Sequence, residues 1–145
     1  MRRRALLAAL PLALAASRAF AEAKEAGQFV DLAPVAMPIV VDGRLVNYVF
    51  VYIRINLTPA APLEAMRDKE PYFRDALVKI GHRTPFTRPD DYTKLDETRL
   101  KASLYQAAVG IAGPGMIANI QILPGGGPMH KANLPKPHVE RPPIV

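Results

Sequence analysis

Few side chains in this sequence have the type and spacing for chemistry, and those few lie far apart along the chain. The histidines are His82, His130 and His138. A zinc or iron site needs ligands converging at about 2 Å from the ion, commonly with a close pair such as His-x3-His, and no two of these three have that spacing. Asp90-Asp91 and Asp96-Glu97 are paired carboxylates of the kind acid–base catalysis uses. Sequence neighbours on a helix do not face one another, however, and these pairs read as helix-start charges that favour the macrodipole. Ser103 is the only serine after residue 21. It falls mid-helix between apolar residues, without the Gly-x-Ser-x-Gly elbow that exposes a nucleophile. Gly110-x-x-Gly113-x-Gly115 follows a helix and precedes a strand, the reverse of the order that cradles a phosphate. No helix follows Gly125-Gly126-Gly127, and the absence of cysteine removes thiolate chemistry. The sequence therefore assigns no catalytic, cofactor or metal-binding residue.

A different constellation remains. From Leu45 to Leu57 the sequence alternates with period two, as a strand does. Leu45, Val49, Val51, Ile53, Ile55 and Leu57 fall on one aliphatic face, and Val46, Tyr48, Phe50, Tyr52, Arg54 and Asn56 on the other. Rigid amphipathic rings beside an arginine are the residue types enriched at protein interfaces. Tyr48, Phe50, Tyr52 and Arg54 are thus a candidate interface. Two readings of this ladder stand: a partner covers it, or the domain's own helices do.

The elements around that strand can be placed in turn. Phe29–Leu32 and Val35–Val41 read as strands, with Pro38 requiring an edge position because proline donates no ladder hydrogen bond. Asp42-Gly43 signals a two-residue hairpin turn. Pro62 suits the first turn of a helix, Leu63–Lys69 is helical in composition, and Pro71 kinks that helix or starts another. Phe73, Ala76, Leu77 and Ile80 then form an apolar stripe that ends at Gly81. Thr93-Lys94-Leu95-Asp96 fits a capping box for a helix that buries Leu100, Leu104, Ala107, Ala108 and Ile111. Gly113-Pro114-Gly115 breaks it, and Met116–Leu123 is the last strand, with Met116, Ala118, Ile120 and Ile122 on one face. The order predicts an α+β domain: a small antiparallel or mixed sheet covered on one face by two or three helices.

Both ends differ in kind from this domain. Met1-Arg2-Arg3-Arg4, the apolar stretch Ala5–Ala16 and Ala19-Phe20-Ala21 make the basic, apolar and small-x-small regions of a secretory signal peptide. The apolar stretch is far shorter than the ~20 residues of a spanning helix. Cleavage is expected after Ala21, through the Sec route or, given Arg3-Arg4-Ala5-Leu6-Leu7, the twin-arginine route, which places the product in the periplasm. The leader takes four arginines with it, so the 19 basic side chains of the whole chain fall to 15 against 13 acidic. The sequence pI of about 9.8 is mostly the leader's and argues for no nucleic-acid partner. From Pro124 onward the sequence is rich in Pro and Gly and reads as a flexible tail. The expected divisions are a signal peptide at 1–21, one domain at 22–123 and the tail at 124–145.

From Tyr48 to Leu123 the order of elements, with particular residues, resembles the periplasmic domain of the FliL family of flagellar basal-body-associated proteins. The resemblance is carried by the strand Tyr48–Leu57, the helix motif Glu70-Pro71-Tyr72-Phe73-Arg74-Asp75-Ala76-Leu77, the helix Leu95–Ala108 and the closing strand Gly115–Leu123. It implies a stomatin-like fold and a non-catalytic periplasmic module without cofactor. Such a module supports the flagellar motor by self-association as a homo-oligomer and by contact with the stator, next to the membrane. The alternative is a free periplasmic binding or adaptor protein that keeps the fold without a motor role.

Overall fold

Asp42 and Gly43 both adopt positive φ (50° and 73°), the requirement of a type I′ turn whose twist matches the flanking strands. The turn closes a hairpin in the computed structural model, which describes residues 27–130. The leader at 1–21 and the sequence from 131 onward, with His138, lie outside the described residues.

Strand β1 is Phe29–Asp31, β2 Val35–Val41, β3 Arg44–Leu57 and β4 Ile117–Pro128; helix α1 is Leu63–Asp68, α2 Glu70–Arg83 and α3 Glu97–Ala112. β3 is the axis of a four-stranded sheet in which every other strand pairs with it antiparallel. β2 pairs with its first half (Val35↔Val51 to Val41↔Arg44) and β1 with its second (Phe29↔Asn56 to Asp31↔Arg54). β4 spans both stretches, from Val49↔Pro128 to Leu57↔Ile117. A strand has only two edges, so β1 and β2 share one of them and β4 takes the other. Pro38 lies on an edge strand, as its missing N–H requires.

The helices pack on the aliphatic side of β3. Val49, Val51, Ile53, Ile55 and Leu57 are buried with Phe73 and Leu77 of α2 and Leu100, Leu104 and Ala108 of α3. α1 and α2 are separate helices, with Pro71 in the first turn of the second, where its missing N–H costs nothing. Gly81 does not end α2, which continues to Arg83. It is a buried packing position instead, since a Cβ there would run into the thioether of Met37. The start of α3 also differs from expectation: Asp96 is its N-cap and accepts from the Arg99 N–H at 3.2 Å. Thr93 turns back to Asp91, donating its backbone N–H at 2.9 Å.

Three irregularities in register are invisible in the sequence pattern. Ile39 pairs with Asn47 and Val40 with Leu45, so Val46 is an unpaired extra residue, a β-bulge that reverses the phase of the strand. Leu45 is therefore not a core residue; it lies opposite Val40 and is 52% exposed. A second bulge leaves Ala118 unpaired between Asn119↔Asn56 and Ile117↔Leu57. Ile117 consequently enters the core with Ile120, and Ala118 is exposed. The third corrects the domain boundary at 123. β4 runs on to Pro128, with Pro124, Gly125 and Gly126 bulging opposite Val51 before Gly127 pairs with Phe50. Glycine makes this feasible: Gly125 has φ 105°, and a Cβ on Gly126 would collide with the Phe50 carbonyl. Residues 124–128 thus belong to the sheet.

Asn47 locks this extension in place. It is the one buried polar side chain among the described residues, at 2% exposure. Its Nδ2 donates to the carbonyls of Tyr92 (3.3 Å) and His130 (2.9 Å). Its Oδ1 accepts from the N–H groups of Tyr48 (2.9 Å) and His130 (3.1 Å). Both donors and both acceptor positions of the amide are used, and the side chain stands in for a strand at His130. Asn47→Ala should cost about 1–3 kcal/mol, the price of burying partners without hydrogen bonds. Urea unfolding would read that loss. Asn47→Asp, which keeps the acceptors and loses both donors, should be destabilised as well.

Candidate functional site

The pleat of β3 that turns valines and isoleucines to the helices turns Tyr48, Phe50, Tyr52, Arg54 and Asn56 the other way. None of the three helices among the described residues packs there. Six large apolar side chains are exposed by more than a third among the described residues: Phe29, Leu45, Phe50, Tyr52, Tyr72 and Met129. All but Tyr72 belong to this face. Phe29 lies on it opposite Asn56, and Leu45 is turned to it by the bulge at Val46. Met129 joins it by donating its N–H to the Tyr48 carbonyl at 2.8 Å. The four candidate interface residues lie together as one ladder, with Phe50 and Tyr52 exposed and Tyr48 and Arg54 half-buried.

The face has two halves of different chemistry. Toward the hairpin, Tyr48, Phe50 and Tyr52 run down the middle, with Pro38 and Ala36 opposite them on β2 and Gly127 and Leu123 on β4. Gly127 places no side chain directly opposite Phe50, which is 38% exposed. Toward the other end the surface is polar and already satisfied. Arg54 donates from Nε and Nη2 to the two carboxylate oxygens of Asp31 at 2.7 and 2.9 Å, a bidentate pair. Its guanidinium carbon sits 3.8 Å from the centre of the Phe29 ring, within cation–π range. Asn56 donates to Asn119 at 2.7 Å. Hydrogen bonding to Arg54 holds the Asp31 carboxyl below the usual carboxylate range, and Asp31 in turn raises Arg54. These partners complete one another, so the unsatisfied part of the face is its apolar half.

The residues considered for catalysis are dispersed. His82 lies at the end of α2 with its Nδ1 2.9 Å from the Val78 carbonyl, whereas His130 follows β4 and is held by its backbone. No group of three or more His, Asp or Glu among the described residues could hold a metal ion. Asp90 pairs with Arg88 and Asp91 accepts from Thr93. Those hydrogen bonds lower both carboxyls below their ordinary value, away from the raised pKa that suits a general acid at neutral pH. Ser103 is half-buried within α3. An open cleft of about 1010 Å³ lies between the glycine bulge at 125–127 and the stretch 88–98. Its charged rim includes Arg88 and Asp90, which neutralise each other.

Sequence periodicity located Tyr48, Phe50, Tyr52 and Arg54. It missed Asn47, although a polar residue at an inward position of an aliphatic strand is a readable anomaly. It also missed Phe29 and Met129, whose places depend on strand register.

The ion pair at Asp31 makes a testable statement about acid stability. A carboxyl lowered on folding contributes stability above its unfolded pKa, near 3.9 for a free aspartate, and loses it as pH falls through the folded value. Wild type should therefore exceed Asp31→Asn in melting temperature above about pH 4, and the two should converge at more acidic pH. A difference independent of pH would contradict this account of the pair. Comparison with known proteins returned neither a matching protein-family model nor a matching curated protein.

Proposed function

We propose that this protein is a non-catalytic exported module that works by protein–protein contact through the open face of its sheet, centred on Phe50 and Tyr52. One observation carries the reading: among the described residues, five of six exposed large apolar side chains share the sheet face that no described helix covers. Contiguous exposed apolar surface mostly marks an interaction site on a soluble domain, and buried aromatics with arginine dominate binding energy at interfaces. The satisfied Arg54–Asp31 pair at the polar end would form the rim, where charges contribute register more than affinity.

The FliL resemblance supplies the setting for this face. The three helices on an antiparallel sheet agree with it at the level of an α+β domain, and the stomatin-like assignment belongs to this proposal. In that setting the product is periplasmic and the partner is the periplasmic segment of the flagellar stator. Deletion of the gene should then reduce the swimming halo in soft agar while flagella remain. Phe50→Thr/Tyr52→Thr, which keeps strand propensity and removes both rings, should reproduce the deletion while circular dichroism shows a folded domain. Normal swimming in the deletion strain would rule out the motor role. Normal swimming in the double variant alone would move the contact to another surface.

A further inference from the structure

The two edges of the sheet are treated differently by the fold. On β3, Thr58 donates its N–H to Met116 and Tyr48 accepts from Met129, whereas Leu57 donates to Gln28 and Ile53 accepts from Leu32. Even-numbered residues of β3 beyond the bulge therefore direct their backbone groups to β4, and odd-numbered ones to β1 and β2. It follows that Arg54↔Gln121 and Asn56↔Asn119 are the hydrogen-bonded pairs with β4, and Ile53↔Ile122 and Ile55↔Ile120 are not. The N–H and C=O groups of Ile120 and Ile122 must then point outward, away from β3. Nothing among the described residues bonds to them.

The opposite edge is blocked at three points. The Ala33 N–H donates to Glu70 Oε1 at 3.0 Å. The Thr87 hydroxyl accepts from the Val40 N–H and donates to the Val40 carbonyl, both at 3.0 Å. Pro38 has no N–H to offer. Proteins block edge strands in such ways because an open one templates pairing with another chain. From Ile117 to Leu123, β4 has no charge and no proline, with Ile at three of seven positions and a bulge only at Ala118, so Asn119 to Leu123 stays regular.

We propose that the outer edge of β4 pairs antiparallel with β4 of a second copy of this chain, forming a two-fold dimer with one continuous sheet. The sequence selects this occupant. Residues 116–130 carry no Asp, Glu, Lys or Arg, so two copies can lie side by side without like-charge repulsion. A two-fold axis at Gln121 sets Ile120 of each copy against Ile122 of the other, outward N–H to outward C=O, with the two Gln121 amides adjacent on the open face. Pairing the same edge of both molecules about a two-fold axis is isologous, so it ends at two copies and does not propagate into a fibre. The inference rests on backbone direction and on the uncharged sequence of β4, and is independent of what the open face binds.

Amide hydrogen exchange and sedimentation on the full chain test it. The chain should sediment as a dimer at tens of micromolar, with the Ile120 and Ile122 amides protected more strongly as concentration rises. Ile122→Pro deletes an N–H that β3 does not use, and with two symmetry-related hydrogen bonds lost it should weaken the dimer by about tenfold or more. Ile122→Val should not. A monomer whose Ile120 and Ile122 amides exchange freely would overturn the proposal. So would protection that does not depend on concentration, which would mean that the chain's own sequence covers the edge. A dimer indifferent to Ile122→Pro would place the contact elsewhere. If Ile122→Pro fails to fold, the concentration dependence of exchange in the wild type decides.

Discussion

Everything in this domain is referred to one strand paired along both edges. β3 fixes the phase of three other strands, and among the described residues its pleat separates a helix-covered side from an open side. Slipping a strand by one residue would exchange those sides. Val51, Ile53 and Ile55 would then face water, and Arg54 would enter the core, at a cost far beyond the stability of a small domain. The burial of one face thereby fixes the composition of the other. Phe50 and Tyr52 are exposed, and Tyr48 half-exposed, because the positions between them must be buried.

The bulges and the Asn47 clamp adapt that rule at the ends of β3. At the hairpin end, the extra residue Val46 turns Leu45 out to the open face, and Asn47 occupies the inward position that follows. An inward asparagine would be destabilising alone, but here it completes four hydrogen bonds and holds β4 against β3 up to His130. The glycine bulge at 125–126 lets β4 resume pairing, where a side chain at 126 would strike the Phe50 carbonyl. Phe50 has no side chain directly opposite it on β4, where its partner is Gly127. The same device that extends the sheet thus opens the apolar half of its face.

The parts of this arrangement set by local chemistry were legible in the sequence. The Asp42-Gly43 turn, the alternation from Val49 to Leu57, the stripe on α2 and the antiparallel hairpin follow from period and turn residues. What was not legible depends on pairing between distant segments. No single-strand pattern shows that Ala118 is skipped, that Pro124–Gly126 loops out and Pro128 returns to the ladder, or that Asp96 and not Thr93 caps α3. Gly81 illustrates the difficulty: a glycine after an apolar stripe suits a helix end as well as a close contact, and only the position of Met37 decides between them. The candidate interface was legible as a ladder, but its exposure was not, because the sequence does not say on which side the helices settle.

That exposure is the central claim, and oxidative footprinting of the isolated full chain measures it directly. Hydroxyl radicals should modify Phe29, Phe50, Tyr52 and Met129 rapidly while Phe73 and Phe86, which are at most 2% exposed, stay protected. Phe50 and Tyr52 as resistant to modification as Phe73 would contradict the account, since the open face would then be covered within the protein itself.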